Sequence, residues 1–301
     1  MTHCFKGGSM KKDISFHIFK HIVLIVLSLA CVIPFLLMII ASFTENSEIA
    51  VRGYSFFPEN VTFFAYQYIF ERASTIFRAY GITIFITIVG TACGLLISML
   101  LAYPISRKDM PFRTVFTFFV FFTMLFNGGL VPTYLIYTQW FGIKNEITAL
   151  IIPNLLMSSV NVLLLRTYFA NNIPEAVRES ASMDGAGELM IFMRIVIPLS
   201  KPIMATVGLL IGIAYWNDWF NGMVYITDES LFSLQNYLAR VSQDIQFLVK
   251  SSNANYGEIA KLPSETVRMA IAVLGSMPII LAFPFFQKYF IKGIALGAVK
   301  G

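Results

Sequence analysis

The chain has 301 residues, of which 57% are hydrophobic and only 13% charged, and its formal net charge is +5. A soluble domain of this length carries roughly twice that charged fraction. The excess of apolar residues excludes an ordinary soluble enzyme or binding domain and puts the chain in the membrane class.

Six runs reach the length of about 20 mostly apolar residues that a bilayer span requires. They are 21–42, 79–103, 114–137, 147–165, 203–226 and 267–286. Backbone groups in lipid must pair internally, so each run is expected to be a helix, and the alternation of barrel strands is missing. The first run holds Pro34 and continues into Ser42-Phe43-Thr44-Glu45 rather than a small-x-small site, so it reads as a retained span and not a cleaved signal. Met10-Lys11-Lys12 also has the form of a chain start, which leaves the start open between Met1 and Met10. Gly90 and Gly94 in the second run, and Gly208 and Gly212 in the fifth, have the spacing that lets helices approach closely.

Placing the N-terminus in the cytoplasm gathers most Lys and Arg residues on the inner side, among them Lys11, Lys12, Arg107, Lys108, Arg113, Arg166, Arg178, Arg194, Lys288 and Lys292. Fewer, including Arg52, Arg78, Lys144 and Arg240, then lie outside. The positive-inside rule therefore puts both termini in the cytoplasm. This accounts for the pI near 9.0 with no nucleic-acid partner. The expected organisation is a cytoplasmic segment 1–20, then a six-helix membrane domain 21–301 with an inner loop 166–201 and a cytoplasmic tail 287–301. Two outer segments, 43–78 and 227–266, are long. In the second, Leu234, Leu238, Val241, Ile245 and Leu248 recur at helical spacing, which predicts an amphipathic helix serving as a lid or as a contact for an external partner.

Several chemistries are missing. The cysteines, Cys4, Cys31 and Cys93, suit neither a metal site nor a disulfide framework and read as reduced packing residues. All three histidines, His3, His17 and His21, precede the spans or open the first, so none can serve a zinc site or proton relay deeper in the bundle. No Asp, Glu, Lys or Arg lies near the centre of any run, Asp218 towards the outer end of the fifth being the exception. This argues against an ion-driven carrier and against a membrane-embedded enzyme. No GxxxxGK[ST] loop occurs, so uphill transport would need energy from a separate subunit.

The polar residues within the runs are mostly neutral: Asn127, Asn154, Asn161, Asn217 and Asn221, with Ser158 and Ser159. Amides in lipid are costly unless paired, so they either bond across helices or line a wet path. Neutral amides beside Trp216 and Trp219 suit a neutral hydroxylated solute, because amides bond hydroxyls and indole faces stack on sugar C–H surfaces.

The inner loop runs Asn171-Asn172-Ile173-Pro174-Glu175 and on through Arg178 to Gly185-Ala186. Asn172 and Glu175 have capping-box spacing, Pro174 suits a first turn, and Gly185 suits a stop. The resulting short exposed helix is either an ordinary connection or a rigid peg for a socket on another protein. Glu179-Ser180-Ala181, Gly185 four residues on, then Ile195 and Pro198, resemble the EAA loop of ABC importer permeases, whose pattern is Glu-Ala-Ala, three residues, Gly, nine residues, Ile-x-Leu-Pro. Ser180 stands for an Ala and Ile197 for the Leu, with the spacing intact. Trp216-Asn217-Asp218 is similar to a signature of sugar-importer permeases, and the tail from Gln287 to Gly301 resembles that of the maltose-type second permease. Phe126-Asn127-Gly128-Gly129 resembles a subgroup linked to oligosaccharide or polysaccharide-fragment uptake.

The resemblance implies an all-α, six-span type I ABC importer permease in the bacterial cell membrane. It implies a second permease as heterodimer partner, two cytoplasmic ATPase subunits carrying ATP and Mg, and an external solute-binding protein. This chain would bind no cofactor itself. Glu175, Arg178, Glu179, Ser180, Ala181, Asp184, Gly185 and Pro198 would couple it to an ATPase, and the tail 297–301 would reach between the ATPase subunits. Asn127, Asn154, Asn161, Trp216, Asn217, Asp218, Trp219 and Asn221 would line the path of a carbohydrate. The alternative solute is a peptide or polyol-phosphate, but a charged solute would want Arg or Lys at mid-depth.

Overall fold

The computed structural model describes residues 7–71, 73–251 and 264–298. Helices make up the regular structure of the described residues, apart from one isolated antiparallel bridge between Thr44 and Val61. The chain divides into two compact units, Met1–Glu71 with Ile245–Leu274, and Arg72–Asp244 with Gly275–Gly301.

In the first unit, α1 (Gly7–Ser42) contains the first apolar run and continues through Pro34. Its stretch Phe16–Ser42 is apolar all round, and the most apolar window has no residue buried within the chain. A helix of that kind belongs in lipid or against another chain. Beyond it, α2 (Asn46–Arg52) and α3 (Phe64–Glu71) fold back on the end of α1. Ser42 and Tyr66 share a hydroxyl hydrogen bond of 2.8 Å, and the Phe43 and Tyr66 rings stack at 4.8 Å. The Glu48 carboxylate accepts from the amides of Glu59 and Asn60, both at 2.9 Å.

The second unit is built around α4 (Ala73–Ser106), which contains the second run. It packs on α5 (Arg113–Leu125), α7 (Ser159–Asn172) and α11 (Lys201–Trp216). The small residues sit at the α4–α11 crossing, as their spacing predicts. A Cβ on Gly90 would lie 2.3 Å from the Tyr215 ring, and Gly212 lies against Thr91. Tyr215 is fully buried and donates its hydroxyl to the Ile151 carbonyl at 2.8 Å. One apolar core joins Met99, Ala102 and Ile105 of α4 to Leu165, Phe169, Phe192 and Val207. A second gathers Ile86, Leu150, Tyr225, Ile226 and Phe232.

Three of the expected spans are not single straight helices. The run 114–137 becomes α5 and α6 (Leu130–Leu135), the latter extended by a π turn, Ile136–Trp140, with a bend of 110° between the two halves. Phe126 turns extended there, and Asn127 closes a local turn by accepting the Gly129 amide at 2.8 Å. The run 147–165 is a 3₁₀ turn, Ile147–Leu150, then irregular backbone with Asn154 at φ 62°, and only then α7. The run 203–226 breaks after Trp216 and resumes as α12 (Phe220–Tyr225). Upstream, Glu188–Leu199 meets Lys201–Trp216 at 83°. Among the described residues three helices are long and apolar enough to cross a membrane, or five if each bent pair is one span. The physical reason is that turn signals such as Asn127-Gly128-Gly129 and Pro153-Asn154 interrupt the helix inside an apolar run, and hydropathy windows average over them.

The amphipathic segment is helical as expected, α13 (Leu234–Ser251), and the last run lies in α14 (Ser264–Ala298), which continues through Pro278 and Pro284. Cys31 and Cys93 are free but exposed, which corrects their reading as packing residues. Cys4, His3 and the tail residues Val299, Lys300 and Gly301 lie outside the described residues.

Candidate functional site

The loop after α7 forms α8 (Glu175–Met183), α9 (Glu188–Ile191), a π turn Phe192–Val196, and α10 (Ile197–Leu199) before the bend at Ser200. The short helix predicted from the sequence is present, but its start is not the expected capping box. Asn172 belongs to the end of α7, where its side-chain amide donates to the Tyr168 carbonyl at 3.1 Å. Pro174 occupies the cap position of α8 without a side-chain hydrogen bond. Glu175 turns away from the cap to Lys108, whose ammonium lies 2.9 Å from its carboxylate. That bond holds the Glu175 carboxyl below the usual carboxylate range.

The C-terminal end follows the expectation. Gly185 has φ +84°, its amide donates to Ser182, and the Ala186 amide reaches back to Ala181, both at 3.0 Å. This is the Schellman arrangement, in which a left-handed residue lets two terminal carbonyls find donors. A Cβ at Gly185 would meet nothing within 4 Å, so the backbone conformation and not crowding calls for glycine. No residue of α8 is buried. Glu179, Ser180, Asp184, Gly185 and Pro198 are exposed, Met183 is 83% exposed, and Ala181 is half-buried against the core. The helix thus stands out from the bundle on a rigid stop.

Sequence reasoning missed the floor beneath α8. Arg107, just past α4, directs its Nε and Nη2 to Asp109 and its Nη1 to Glu188 of α9. Tyr103 donates to the same Glu188 carboxylate at 3.0 Å. The two carboxylates raise the Arg107 pKa further, and Arg107 holds the Asp109 carboxyl low. A cluster of opposite charges directly after an apolar run was the available signal.

The residues expected to line a solute path separate into two kinds. Trp216 is buried and donates its indole N–H to the Gly275 carbonyl at 3.0 Å. Asn221 is buried and donates to the Pro153 carbonyl at 2.9 Å. Asp218 accepts from the Phe220 and Asn221 amides, both at 3.2 Å, and so caps α12. These three hold the breaks of the bundle together. Trp219 is 47% exposed, and Asn127, Asn154 and Asn217 are exposed; Asn217 bonds only the Ile213 carbonyl of its own helix, at 2.9 Å. Asn161 is half-buried on α7. The Asn221–Pro153 bond sets the Asn154 turn beside the break at 217–219, whereas Asn127 lies in the separate bend after α5.

Residues 94–296 match the family described as binding-protein-dependent transport system inner membrane component. A polygalacturonan/rhamnogalacturonan transport system permease protein of Bacillus subtilis, YtcP, is 35% identical over 284 residues, covering 92% of this chain and 96% of the relative. Protein LplC of the same organism is 36% identical over 270 residues, covering 90% of each chain. Among solved structures, a bacterial ABC transporter involved in the import of the acidic polysaccharide alginate has a chain that is 30% identical, with a TM-score of 0.76 and coverage of 96% of this chain and 100% of its own. Several apolar helices, an exposed helix with a rigid stop and a match over most of the chain agree: the protein belongs to the binding-protein-dependent transport system inner membrane component family.

Proposed function

We propose that this chain is the permease subunit of an ATP-driven ABC importer that moves an oligosaccharide from an external binding protein into the cytoplasm by alternating access. The observation that carries the solute class is similarity over about nine-tenths of the chain to permeases named for saccharides, among them polygalacturonan, arabinooligosaccharides and melibiose/raffinose/stachyose. The alternative of a peptide or polyol-phosphate has no comparable support.

In this reading the chain crosses a bacterial cell membrane six times, with both termini in the cytoplasm. It pairs with a second, different permease, and two ATPase subunits carry ATP and Mg beneath them. With no phosphate-loop sequence of its own, this chain binds no cofactor. α8 sits in a cleft of one ATPase and presents Glu179, Ser180, Asp184 and Gly185 to it, while Glu175, Arg178, Ala181 and Pro198 set its pose. ATPase closure draws α8 and turns the permease outward. The solute meets Asn154, Asn217 and Trp219 near the break after α11, and Asn127 at the bend after α5. Trp216, Asp218, Asn221 and Asn161 support that path from behind.

The test is uptake by proteoliposomes holding the chain with its permease partner, ATPase and binding protein. Labelled neutral and uronate oligosaccharides are compared with a peptide and a polyol-phosphate. ATP-dependent uptake of a saccharide is expected. Uptake of the peptide or polyol-phosphate with none of any saccharide would overturn the assignment.

A further inference from the structure

The exposed helix α8 has no buried side chain, so something else must fix it to the bundle if it is to transmit force. Two arms meet there: the end of α4 with its following turn, and the loop α8–α9. They do not close on each other fully. A cleft of about 530 Å³ lies among Arg107, Asp109, Glu175, Arg178 and Glu188. Below it the arms share an apolar contact, with the Tyr103 and Phe192 rings 5.2 Å apart. Across it they share ion pairs.

We propose that Arg107 is the positioning residue that clasps the loop to α4, so that a pull on α8 moves α4 with it. This inference rests on the reading of α8 as the coupling helix. Arg107 uses its whole guanidinium fork: Nε donates to Asp109 Oδ1 at 2.9 Å, Nη2 pairs with the other Asp109 oxygen, and Nη1 pairs with Glu188. Its own backbone is fixed as well. Its amide donates to the Pro104 carbonyl at 3.1 Å, and its carbonyl accepts from Arg113 at 3.4 Å. Tyr103 holds the far carboxylate of the clasp from α4 itself, at 3.0 Å.

An apolar contact such as Tyr103–Phe192 is non-directional, and its surfaces slide at little cost. A planar fork on two carboxylates fixes direction and resists sliding, which Lys cannot reproduce. Exposed single pairs contribute little, and Glu188 is 58% exposed; here the bidentate pair to Asp109 lies on Arg107's own arm and holds the guanidinium still, so that its Nη1 and the Tyr103 hydroxyl meet the one Glu188 carboxylate across the cleft as a small network. Lys108–Glu175 adds a second, more exposed strut to α8, at 2.9 Å.

The test uses the whole complex in proteoliposomes, with Cys4, Cys31 and Cys93 replaced by Ser and nitroxides placed at Met183 and Leu96. In the parent complex the distance between the labels stays narrow with and without ATP and orthovanadate. Arg107→Met and Glu188→Gln should each broaden it and raise the ATP hydrolysed per solute imported about 5-fold or more, the span of typical coupling energies. The double variant should be no worse than Arg107→Met alone, because that substitution already removes the pair with Glu188. Arg107→Lys should fall between parent and Met. Should Arg107→Met fail to assemble, Glu188→Gln reads the same contact. Parent-like label distances and parent-like ATP-to-solute ratios in these variants would overturn the clasp. If a bulky residue at Gly185 uncouples while they do not, the clasp alone falls; if Gly185 variants also transport normally, the coupling-helix reading falls with it.

Discussion

Replacing Gly90 by Ala tests the packing of the α4–α11 crossing directly. The new methyl would sit 2.3 Å from Cζ of Tyr215 and 2.6 Å from the adjacent ring carbons. Tyr215 has nowhere to go, being fully buried with its hydroxyl bound to the Ile151 carbonyl at 2.8 Å. Overpacking of this kind costs about 1–3 kcal/mol. Losing the hydroxyl bond with the carbonyl left buried costs about 1–3 kcal/mol more. Removing a helical glycine returns only about 1 kcal/mol. The net expectation is a destabilisation of about 1–5 kcal/mol, read as a drop of several degrees in the melting temperature of the complex in detergent. Two controls sharpen the expectation. Gly208→Ala meets Leu95 no closer than 3.7 Å and should be neutral or stabilising. In a Tyr215→Ala background, Gly90→Ala should stop being harmful and change sign. Equal melting of Gly90→Ala and the parent would refute the reasoning, as would equal harm from Gly208→Ala.

Three further outcomes follow from the same geometry. At Gly185, whose φ is +84°, Asn should keep most coupling while Val loses it; left-handed backbone costs most residues roughly 1–2 kcal/mol, and the ratio of ATP hydrolysed to solute imported measures the effect. Trp216→Phe should lower stability by about 1 kcal/mol through the lost bond to Gly275, and should leave the KM for solute nearly unchanged, whereas Trp219→Ala should raise that KM with stability intact. The Glu175 carboxyl is held low by Lys108, so the strut is complete above the unfolded carboxyl value and is lost only as pH falls through the lower folded one. The ratio of parent to Glu175→Gln coupling should therefore be flat from about pH 6 to 8, and a step within that range would refute the assignment.

The sequence was most legible where one local rule decided the outcome. Gly185 marked the end of α8 because only a left-handed residue closes that turn, and its spacing from Glu179 survived into the structure. Leu234 and its helical partners marked α13, and the Gly90 and Gly212 spacing marked the α4–α11 crossing. It was least legible where hydropathy averaged over punctuation. Asn127-Gly128-Gly129 and Pro153-Asn154 are turn signals, yet each lies inside an apolar run long enough to read as a span. The capping box at Asn172 failed for a different reason. The same amide had a second use at the end of α7, and Glu175 found a cation. Local pattern names the groups that seek partners, while tertiary contacts decide which partner each finds.

That distinction bears on what the polar residues of the bundle do. Each break in a helix frees carbonyls that lipid cannot satisfy. Ile151 and Pro153 are such carbonyls, and Tyr215 and Asn221 are their donors, while Trp216 at the end of α11 donates to Gly275 within α14. The breaks and the buried polar side chains therefore require each other, and a hydropathy reading that smooths the breaks will overcount residues free to meet a solute. Once those donors are assigned, Trp219 is left as the exposed aromatic surface after the break and Asn154 and Asn217 as amides on either side of it. In the proposed reading the solute site is then this broken helix, held rigid from behind, with Trp219 and two amides in front, smaller than the eight residues the sequence offered. On the same reading this rigidity also fits the end of α4, where Arg107 pairs with Glu188 of α9 and Lys108 with Glu175 of α8. α4 carries Gly90 at one end of this connection and runs into Arg107 at the other, so motion applied at α8 has a continuous packed element along which to reach the break.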